Sequence, residues 1–324
     1  MKDITTQKIV KGEKAKTFTK KIARQEFQRI IQYTDQDPAH KEKLEILDAS
    51  LCRYKDIYPY KHNIVKISND HKMVNASWMN VINEKSFIAS QAPNDYTLDD
   101  FWQMCFQYNV GYILMLCKEF EDNKKKCSNY WDNNMVSTNF QNTGFQLTYQ
   151  DNFIERKQIM IHNKITNESR LFHHLQFKHW PDHATPNIQN YVKLFTQMFQ
   201  FVDEGRELKN KNINNNNINN NSNNNINSNN NNQIPNGPIL IHCSAGIGRT
   251  GVFLTLYALC KEITNQLRSQ DSDCIIFSVY NFVRKLKEMR MFSVENINQY
   301  NFIYKFLEEY LREVNTPQQP QMSS

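Results

Sequence analysis

Hydrophobic residues recur along the chain with the two periods that distinguish helices from strands. Apolar residues spaced three and four apart predict amphipathic helices, within residues 23–31, 191–202, 252–267 and 300–314. Short apolar runs predict buried strands, with the sequences GYILMLC (111–117), GFQLTYQ (144–150), RLFHHLQF (170–177) and PILIHC (238–243). Because both kinds of element are interspersed, the pattern predicts an α/β fold with mixed strands.

One long segment has no hydrophobic period at all. Between residues 210 and 232, 17 of 23 residues are Asn, so neither a helix nor a strand could bury an apolar face there. We therefore predict a disordered insertion over residues 210–233 inside one domain that spans residues 21–314. The N-terminal residues 1–20, which are basic, and the tail 315–324 are predicted to be flexible or disordered. The insertion is either a tolerated expansion or a segment that binds partners or aggregates.

Composition narrows the class of protein. The chain has 324 residues, 40% of them hydrophobic, which is enough for one large domain with a substantial core. The net charge of +6 arises mainly near the N-terminus, and no basic stripe or module predicts nucleic-acid binding. No apolar run approaches the length of a membrane span, and the N-terminus has no apolar signal segment, so a cytoplasmic protein without integral membrane association is expected. Seven Cys without a CxxC pair fit reduced thiols.

The sequence HCSAGIGRTG, residues 242–251, contains three of the eight Gly in the chain. A predicted strand enters this segment and a predicted helix leaves it, so its backbone N–H groups would converge at a helix N-terminus and favour an anion. The candidate anion-binding residues that follow the first Cys are Ser244, Ala245, Gly246, Ile247 and Gly248. Arg249 closes the segment with a planar guanidinium that can bond two oxygens of one tetrahedral dianion.

Cys243 opens the same segment. Amide donors, a helix N-terminus and Arg249 would all stabilise its thiolate form, which is the nucleophilic form. A thiolate at the base of a phosphate cradle predicts phosphoryl transfer to sulfur and then to water. The alternative is a buried, inert Cys beside a Gly-rich turn; the agreement of the strand, the glycines, Arg249 and the Thr250 hydroxyl favours the reactive interpretation.

With these residues in view, HCSAGIGRTG resembles the signature loop of the classical tyrosine-specific protein phosphatases. Further segments resemble the motifs of that family in the expected order, namely CRYKDIYPYKH (52–62), NASWM (75–79), FIASQAPNDYTLDDFWQM (87–104), KKKCSNYW (124–131) and WPDHATP (180–186). The resemblance covers roughly residues 20–312. It implies a single domain with a highly twisted mixed β-sheet flanked by helices, and hydrolysis of phosphotyrosine without a metal or cofactor.

The resemblance also implies how the substrate is held and protonated. Asp182 is similar to the general acid on a mobile loop, which is needed because tyrosinate is a poor leaving group. Tyr54 resembles the aromatic wall of a deep slot that phosphoserine is too short to use, and Asp56 resembles the carboxylate that bonds the substrate main chain. Taken alone, Trp-Pro-Asp would be a turn, and Tyr54 and Asp56 would be ordinary surface residues.

Supporting roles follow by the same similarity. Glu121 resembles the carboxylate that orients Arg249, and Lys126 resembles the lysine that contacts the acid loop, although Lys124 to Lys126 is otherwise a solvated charge run. His242 is expected to tune the neighbouring cysteine by hydrogen bonding and not to act as a base.

The last motif, VENINQYNF (294–302), departs from the family pattern. Gln299 matches the second Gln of the family motif and is a candidate for both catalysis and substrate binding, and Thr250 is expected to donate to the sulfur when it leaves in the second step. Glu295, however, stands where the family has the Gln that positions the attacking water, and Phe292 occupies the place of the usual Gly. A carboxylate facing phosphorylated Cys243 would repel it, so we expect slower hydrolysis of the intermediate.

Four His in HHLQFKHWPDH, residues 173–183, raise the possibility of a metal site. On a strand His173 and His174 would point to opposite faces, and neither a carboxylate nor a Cys completes a tetrahedral set, so we predict no metal. The sequence therefore predicts a protein-tyrosine phosphatase, expected to be monomeric, whose partners are phosphotyrosine-containing proteins. The alternatives are a phosphotyrosine-binding or substrate-trapping module with weak turnover owing to Glu295, and a broader phosphatase of phosphoserine or inositol lipids.

Overall fold

The structure is a computed structural model that describes residues 6–11, 20–68, 72–82, 86–180, 188–219, 237–269 and 273–315, with the backbone alone at 20, 208–219 and 315. The loop that carries Asp182, the larger part of the Asn-rich insertion and residues 316–324 lie outside the described residues. The predictions made for them remain predictions.

A mixed sheet of eight strands forms the centre of the fold, in the order β2-β3-β4-β11-β5-β10-β9-β8. Its strands are β2 (Ile64–Ile67), β3 (Lys72–Met79), β4 (Phe87–Ser90), β5 (Tyr112–Met115), β8 (Phe140–Gln150), β9 (Ile154–Asn163), β10 (Glu168–Phe177) and β11 (Ile239–His242). Strands β4, β11, β5 and β10 pair in parallel, and the outer pairs are antiparallel. The predicted α/β fold with mixed strands is thereby confirmed.

Helices cover both faces of this sheet and bury two large apolar clusters against it. The helices are α1 (Lys20–Tyr33), α2 (Pro38–Lys41), α3 (Leu98–Gln107), α4 (Ile188–Asn219), α5 (Gly248–Arg268), α6 (Val279–Met289) and α7 (Ile297–Asn315). Helix α3 packs with the cluster on one face, whereas α1, α4, α5, α6 and α7 contribute to the cluster on the other face. All four helices predicted from apolar spacing are present. No helix in the described ranges has the length and apolar character needed to cross a membrane.

Two short sheets complete the described structure. Strand β1 (Gln7–Val10) pairs antiparallel with β12 (Cys274–Phe277), and β6 (Phe120–Glu121) pairs with β7 (Lys124–Lys125). The prediction of a flexible segment over residues 1–20 therefore needs correction at Gln7–Val10. Ile9 is buried there and packs into the larger core cluster, a long-range contact that gives no local sequence signal.

Helix α4 continues into the Asn-rich segment, since its backbone is helical as far as Asn219. The predicted start of disorder at residue 210 is therefore at least ten residues too early in the chain. The helix continues past its apolar residues because each further residue adds one backbone hydrogen bond to a helix that is already formed.

The central strand β11 directs the chain into the candidate site. All four of its residues are buried, and it lies between the parallel strands β4 and β5. The carboxyl ends of parallel strands meet at one edge of a sheet, where ligands commonly bind in α/β folds. Residues 243–247 leave β11 at this edge and lead directly into α5.

Candidate active site

The loop between β11 and α5 is shaped as an anion cradle. Gly246 has a φ of 69°, and a Cβ there would lie 2.0 Å from the Ser90 carbonyl oxygen, so a side chain is excluded. The Ala92 N–H donates to the Ser244 carbonyl at 2.9 Å and ties the loop to the end of β4. Because α5 begins at Gly248 and runs for 21 residues, its positive N-terminal end faces the loop.

Arg290 holds this loop from behind, a role that no local sequence pattern indicates. The side chain is fully buried; its Nε donates to the Gly246 carbonyl at 2.7 Å and its Nη2 to the Ala245 carbonyl at 3.1 Å. In a trans peptide the N–H points in the direction opposite to the C=O. Because the carbonyls of Ala245 and Gly246 point towards Arg290, the N–H groups of Gly246 and Ile247 point away from it, towards the cradle. Burial lowers the pKa of Arg290 to about 10, which leaves it charged near neutral pH.

Cys243 is the first residue of the loop and only 4% exposed. His242, which precedes it, uses Nδ1 to donate to the Cys243 carbonyl at 3.0 Å, so its Nε2 must accept from the Tyr130 hydroxyl at 2.6 Å. Tyr130 in turn accepts from His174 Nε2 at 2.8 Å. Burial lowers the pKa of His242 to about 4, so this imidazole is neutral. His242 thus supports the backbone of the loop, whereas the prediction that it tunes the cysteine stays untested.

Thr250 lies in the first turn of α5, and its hydroxyl is buried without a hydrogen-bond partner among the described residues. The predicted bond to the Cys243 sulfur is therefore not made in this structure. A buried hydroxyl without a partner is costly and retains its donor, so the role in the second step remains a prediction.

Arg249 is clamped by Glu121, the residue that the family resemblance pairs with it. Its Nη1 and Nη2 donate to the two carboxylate oxygens at 2.5 and 2.7 Å, and Nη1 also donates to the Leu116 carbonyl at 3.2 Å. Burial alone would lower the pKa of Arg249, but the hydrogen bonds and charge of Glu121 raise it. The Nε–H and the second Nη2–H, which lie along one edge of the guanidinium, have no partner among the described residues. That edge is free to bond two oxygens of an anion.

Tyr54 borders the entrance to the cradle. Ser244 Oγ donates to the Lys126 carbonyl at 2.9 Å, so the Tyr54 hydroxyl donates to Ser244 Oγ at 2.8 Å. The Tyr54 ring is 36% exposed and stands beside the loop, in a position that fits an aromatic wall. Asp56, two residues further along the chain, is exposed and makes no hydrogen bond within the described ranges.

Lys126 supports the site through its backbone, which accepts from Ser244. Burial opposes ionisation of Glu121, but Arg249 and, more weakly, the charge of Lys126 lower its pKa. The predicted partner of Lys126, the acid loop, lies outside the described residues. Trp180, the last residue described before that loop, places the centroid of its ring 5.8 Å from the Arg249 guanidinium carbon.

Glu295 and Gln299 cover the start of α5. A Cβ on Gly248 would lie 2.7 Å from Gln299 Nε2 and 3.0 Å from Glu295 Oε2, so both side chains press against this glycine. The Gln299 side-chain oxygen accepts from the Glu295 N–H at 2.8 Å, and the amide nitrogen lies against Gly248, the last of the candidate anion-binding residues. The exposed Glu295 therefore stands beside Gly248, and its predicted effect on hydrolysis of the intermediate stays a prediction. Phe292, in the place of the usual Gly, adopts a φ of 56°, which explains why Gly is favoured there.

The His residues of β10 point to opposite faces, as the strand period predicts. His173 stacks on Tyr112 with ring centroids 4.6 Å apart, whereas His174 is fully buried in the other cluster beside Tyr130. Within the described ranges no group of three or more His, Cys, Asp or Glu side chains is placed to hold a metal ion.

Comparisons with known proteins agree with this geometry. The family model described as protein-tyrosine phosphatase matches residues 48–309. Tyrosine-protein phosphatase non-receptor type 20 from Rattus norvegicus is 28% identical over 84% of the chain and 57% of its own length. Tyrosine-protein phosphatase non-receptor type 18 from Homo sapiens is 29% identical over 78% of the chain and 49% of its own length. The chain thus spans about half the length of these relatives.

Solved structures show the same fold. A structure of PTPN18 described as the basis of its fingerprint on HER2 tyrosine phosphorylation sites has a TM-score of 0.69 and 24% identity, covering 89% of this chain and 94% of the other. The catalytic domain of human non-receptor type 18 gives a TM-score of 0.65 and 24% identity, covering 89% of this chain and 96% of the other. These likenesses confirm a mixed sheet flanked by helices in a single domain.

Proposed function

The chain belongs to the protein-tyrosine phosphatase family, and from that premise we propose that it hydrolyses phosphotyrosine in proteins through a cysteinyl-phosphate intermediate. The observation that carries this proposal is the free edge of the Arg249 guanidinium. Glu121 occupies one edge of the guanidinium, and the other edge is left for an anion beside the amides that follow Cys243. A phosphate dianion is the ligand with the oxygen count and charge for this arrangement.

The first step would transfer the phosphoryl group to sulfur. The Cys243 thiolate attacks phosphorus and forms an S–P bond, while the bond from phosphorus to the tyrosyl oxygen breaks. Asp182 donates its proton to the departing oxygen, so tyrosine leaves neutral. The cradle amides and Arg249 stabilise the charge on the three equatorial oxygens throughout.

The second step would return the protein to its starting state. A water attacks the phosphorus, Asp182 accepts its proton, and the S–P bond breaks to release inorganic phosphate and the thiolate. Gln299 would orient this water, a role supported by the position of its amide nitrogen against Gly248. Thr250 would donate its unpaired hydroxyl hydrogen to the leaving sulfur. No step needs a metal or a cofactor.

The residues at the entrance to the cradle support phosphotyrosine in proteins as the substrate class. Tyr54 stands beside the loop and would line one side of a phenyl ring, which an aliphatic phosphoserine does not present. Asp56 is exposed and unpaired in the described structure, so its carboxylate can accept from the main-chain N–H groups of a peptide. The solved complexes of PTPN18 with HER2 phosphopeptides concern that protein, and they support phosphotyrosine-containing proteins as the partners of this one.

We further propose that this protein acts in signal transduction in the cytoplasm, as a monomer that binds neither nucleic acid nor membranes integrally. Residues 21–314 form its catalytic domain, and the Asn-rich segment interrupts this domain without contributing to the site. The helix that leads into the segment supports this, since Asp203 on α4 bonds the Tyr257 hydroxyl of α5 at 2.7 Å and so anchors α4 before the Asn residues begin.

A substrate panel tests the reaction class. Phosphotyrosine peptides are expected to release phosphate at least about 100-fold faster than matched phosphoserine peptides or inositol phospholipids, because the shorter or bulkier esters cannot place phosphorus against Cys243. Phosphate release at equal substrate concentration is the measurement. Faster release from the lipid or from phosphoserine would contradict the proposed substrate class.

Glu295 is expected to slow the second step. An aryl phosphate should give a burst of phenol of about one equivalent, and Glu295→Gln should raise steady-state turnover about fivefold, the equivalent of about 1 kcal/mol of repulsion at an exposed site. Rapid-mixing kinetics measure both quantities, and Glu308→Gln, a substitution on α7, serves as the control. Absence of a burst together with no gain in the Glu295 variant would contradict this role.

The alternative function is a phosphotyrosine-binding or substrate-trapping module with weak turnover owing to Glu295. The position of Glu295 beside Gly248 is the observation in its favour. The named relatives are tyrosine-protein phosphatases, and Cys243, Arg249 and Asp182 are all present, so catalysis is the favoured function. Tight binding of a phosphotyrosine peptide without phosphate release by the wild-type protein would instead support the trap.

A further inference from the structure

A carboxylate is buried between the first and last helices of the domain. Glu26 on α1 is only 3% exposed, and its Oε2 accepts from the Tyr300 hydroxyl at 2.8 Å and from the Tyr304 hydroxyl at 2.5 Å. Its Oε1 is buried and has no partner among the described residues. Burial raises the pKa of Glu26, and the two tyrosine hydrogen bonds oppose this effect. Burial of a carboxylate costs more free energy than burial of an apolar side chain of similar size. A specific role for Glu26 would explain why a carboxylate occupies this position.

The two tyrosines connect this carboxylate to the start of α7. Tyr300 and Tyr304 are four residues apart, so they lie one above the other on the same face of the helix. Both hydroxyls converge on one oxygen, which restricts rotation of α7 about its own axis. The Tyr300 ring also packs on Phe27, the neighbour of Glu26, with centroids 5.2 Å apart. The first turns of α7 are thereby fixed in orientation as well as in position.

That orientation determines where Gln299 points. Gln299 directly precedes Tyr300, about 100° away around the helix axis. Its amide nitrogen would be 2.7 Å from a Cβ on Gly248, so there is little room for a change in direction. Its side-chain oxygen also holds the Glu295 N–H. A rotation of α7 would therefore displace Gln299 and, through this hydrogen bond, Glu295, the two side chains that lie against Gly248.

We propose that Glu26 is a positioning residue, which acts through the hydroxyls of Tyr300 and Tyr304 to aim Gln299 at the water that hydrolyses the cysteinyl phosphate. This inference rests on the proposed function. Formation of the intermediate depends on Cys243, Arg249 and the acid, none of which Glu26 contacts. Loss of the carboxylate clamp should consequently affect the second step and spare the first.

Partitioning of the phosphoryl group between water and glycerol separates these two steps. A well-aimed Gln299 favours the small nucleophile, water, over a bulkier alcohol. In the double variant Tyr300→Phe, Tyr304→Phe the ratio of glycerol phosphate to inorganic phosphate is expected to rise about tenfold. A misplacement of 1 Å can lower the rate of a step about 100-fold, so a tenfold change corresponds to a smaller displacement of Gln299. The burst rate with an aryl phosphate, which reports the first step, should stay within about twofold.

Two further variants keep the test specific. Tyr310→Phe removes the hydroxyl of a half-buried tyrosine on the same helix, one that pairs with Thr264 at 2.7 Å, and should leave the ratio unchanged. Glu26→Gln retains an oxygen that can accept from both tyrosines and should give a ratio close to that of the wild type. Thermal unfolding of each variant identifies any general loss of structure.

The inference is overturned if the double variant is folded and active with an unchanged ratio, or if Tyr310→Phe changes the ratio equally. It is also overturned if the burst rate falls as much as the hydrolysis rate. Failure of the proposed function gives a different result, because the wild-type protein would then release no phosphate and transfer none to glycerol.

Discussion

Replacement of Cys243 by serine is expected to lower kcat for a phosphotyrosine peptide by about 10⁴-fold or more. A serine hydroxyl is essentially un-ionised near neutral pH, so the nucleophile is lost although its position is kept. The amides after residue 243 and the free edge of Arg249 remain in place to hold the phosphate. Peptide binding, measured by calorimetry, should therefore persist while phosphate release stops.

Cys274→Ser provides the matched control, because Cys274 is half-buried on β12, away from the cradle, and should retain full activity. Retention of more than about 1% of the wild-type kcat by Cys243→Ser would mean that another group performs the attack. Loss of binding together with turnover would instead show that the variant had lost the cradle itself.

Arg249→Lys is expected to lower kcat/KM about 10³-fold, although the charge is conserved. A lysine ammonium cannot bond Glu121 through one edge and the phosphoryl oxygens through the other, as the guanidinium does. Loss of one preorganised contact to transition-state charge typically costs about 3–4 kcal/mol, which corresponds to this change in rate. Steady-state kinetics with a phosphotyrosine peptide measure the effect.

Arg156→Lys is the control for this substitution. Arg156 lies on β9 and pairs with Glu204 at 2.5 Å, so the same chemical change is made outside the site. Its kcat/KM should match that of the wild type. A loss below about tenfold in Arg249→Lys would contradict the two-edged role assigned to the guanidinium.

Part of this fold was predictable because its signals are local, whereas apolar spacing did not predict α3, α6 or the strands β2, β3, β4 and β9. Apolar spacing identified α1, α4, α5 and α7, and the apolar run at residues 238–243 identified the central strand β11. The anion cradle was equally visible, since the Gly cluster, Cys243 and Arg249 lie within one short segment. The clamp by Glu121, whose contact with Arg249 spans 128 positions, came from resemblance to a family and not from local pattern.

Other features depend on contacts that no local pattern encodes. Arg290 lies 44 positions from Gly246, and a lone Arg after a helix gives no hint that it is buried behind the cradle. Strand β1 is recognised only by its pairing with β12. The buried link from Glu26 to Tyr300 and Tyr304 joins opposite ends of the chain, and Glu26 looks in sequence like an ordinary polar position on an amphipathic helix.

The departures from the family pattern are also clearer in the structure. Phe292 and Val294 both adopt a φ of 56°, a region that a β-branched residue rarely enters, so the turn before α7 is strained. This turn presents Glu295 beside Gly248. The strain and the carboxylate occur together in the segment for which we propose a role in the second step, and in which the sequence departs from the family motif.

Direct detection of phosphate on Cys243 during turnover is the most direct test of the central claim. A peptide carrying radiolabelled phosphotyrosine is mixed with the protein, the reaction is quenched with acid within milliseconds, and the labelled residue is located by digestion. We predict label on Cys243 that appears as tyrosine is released and decays as inorganic phosphate forms. Full turnover with no label on the protein, or with label on another residue, would contradict the account.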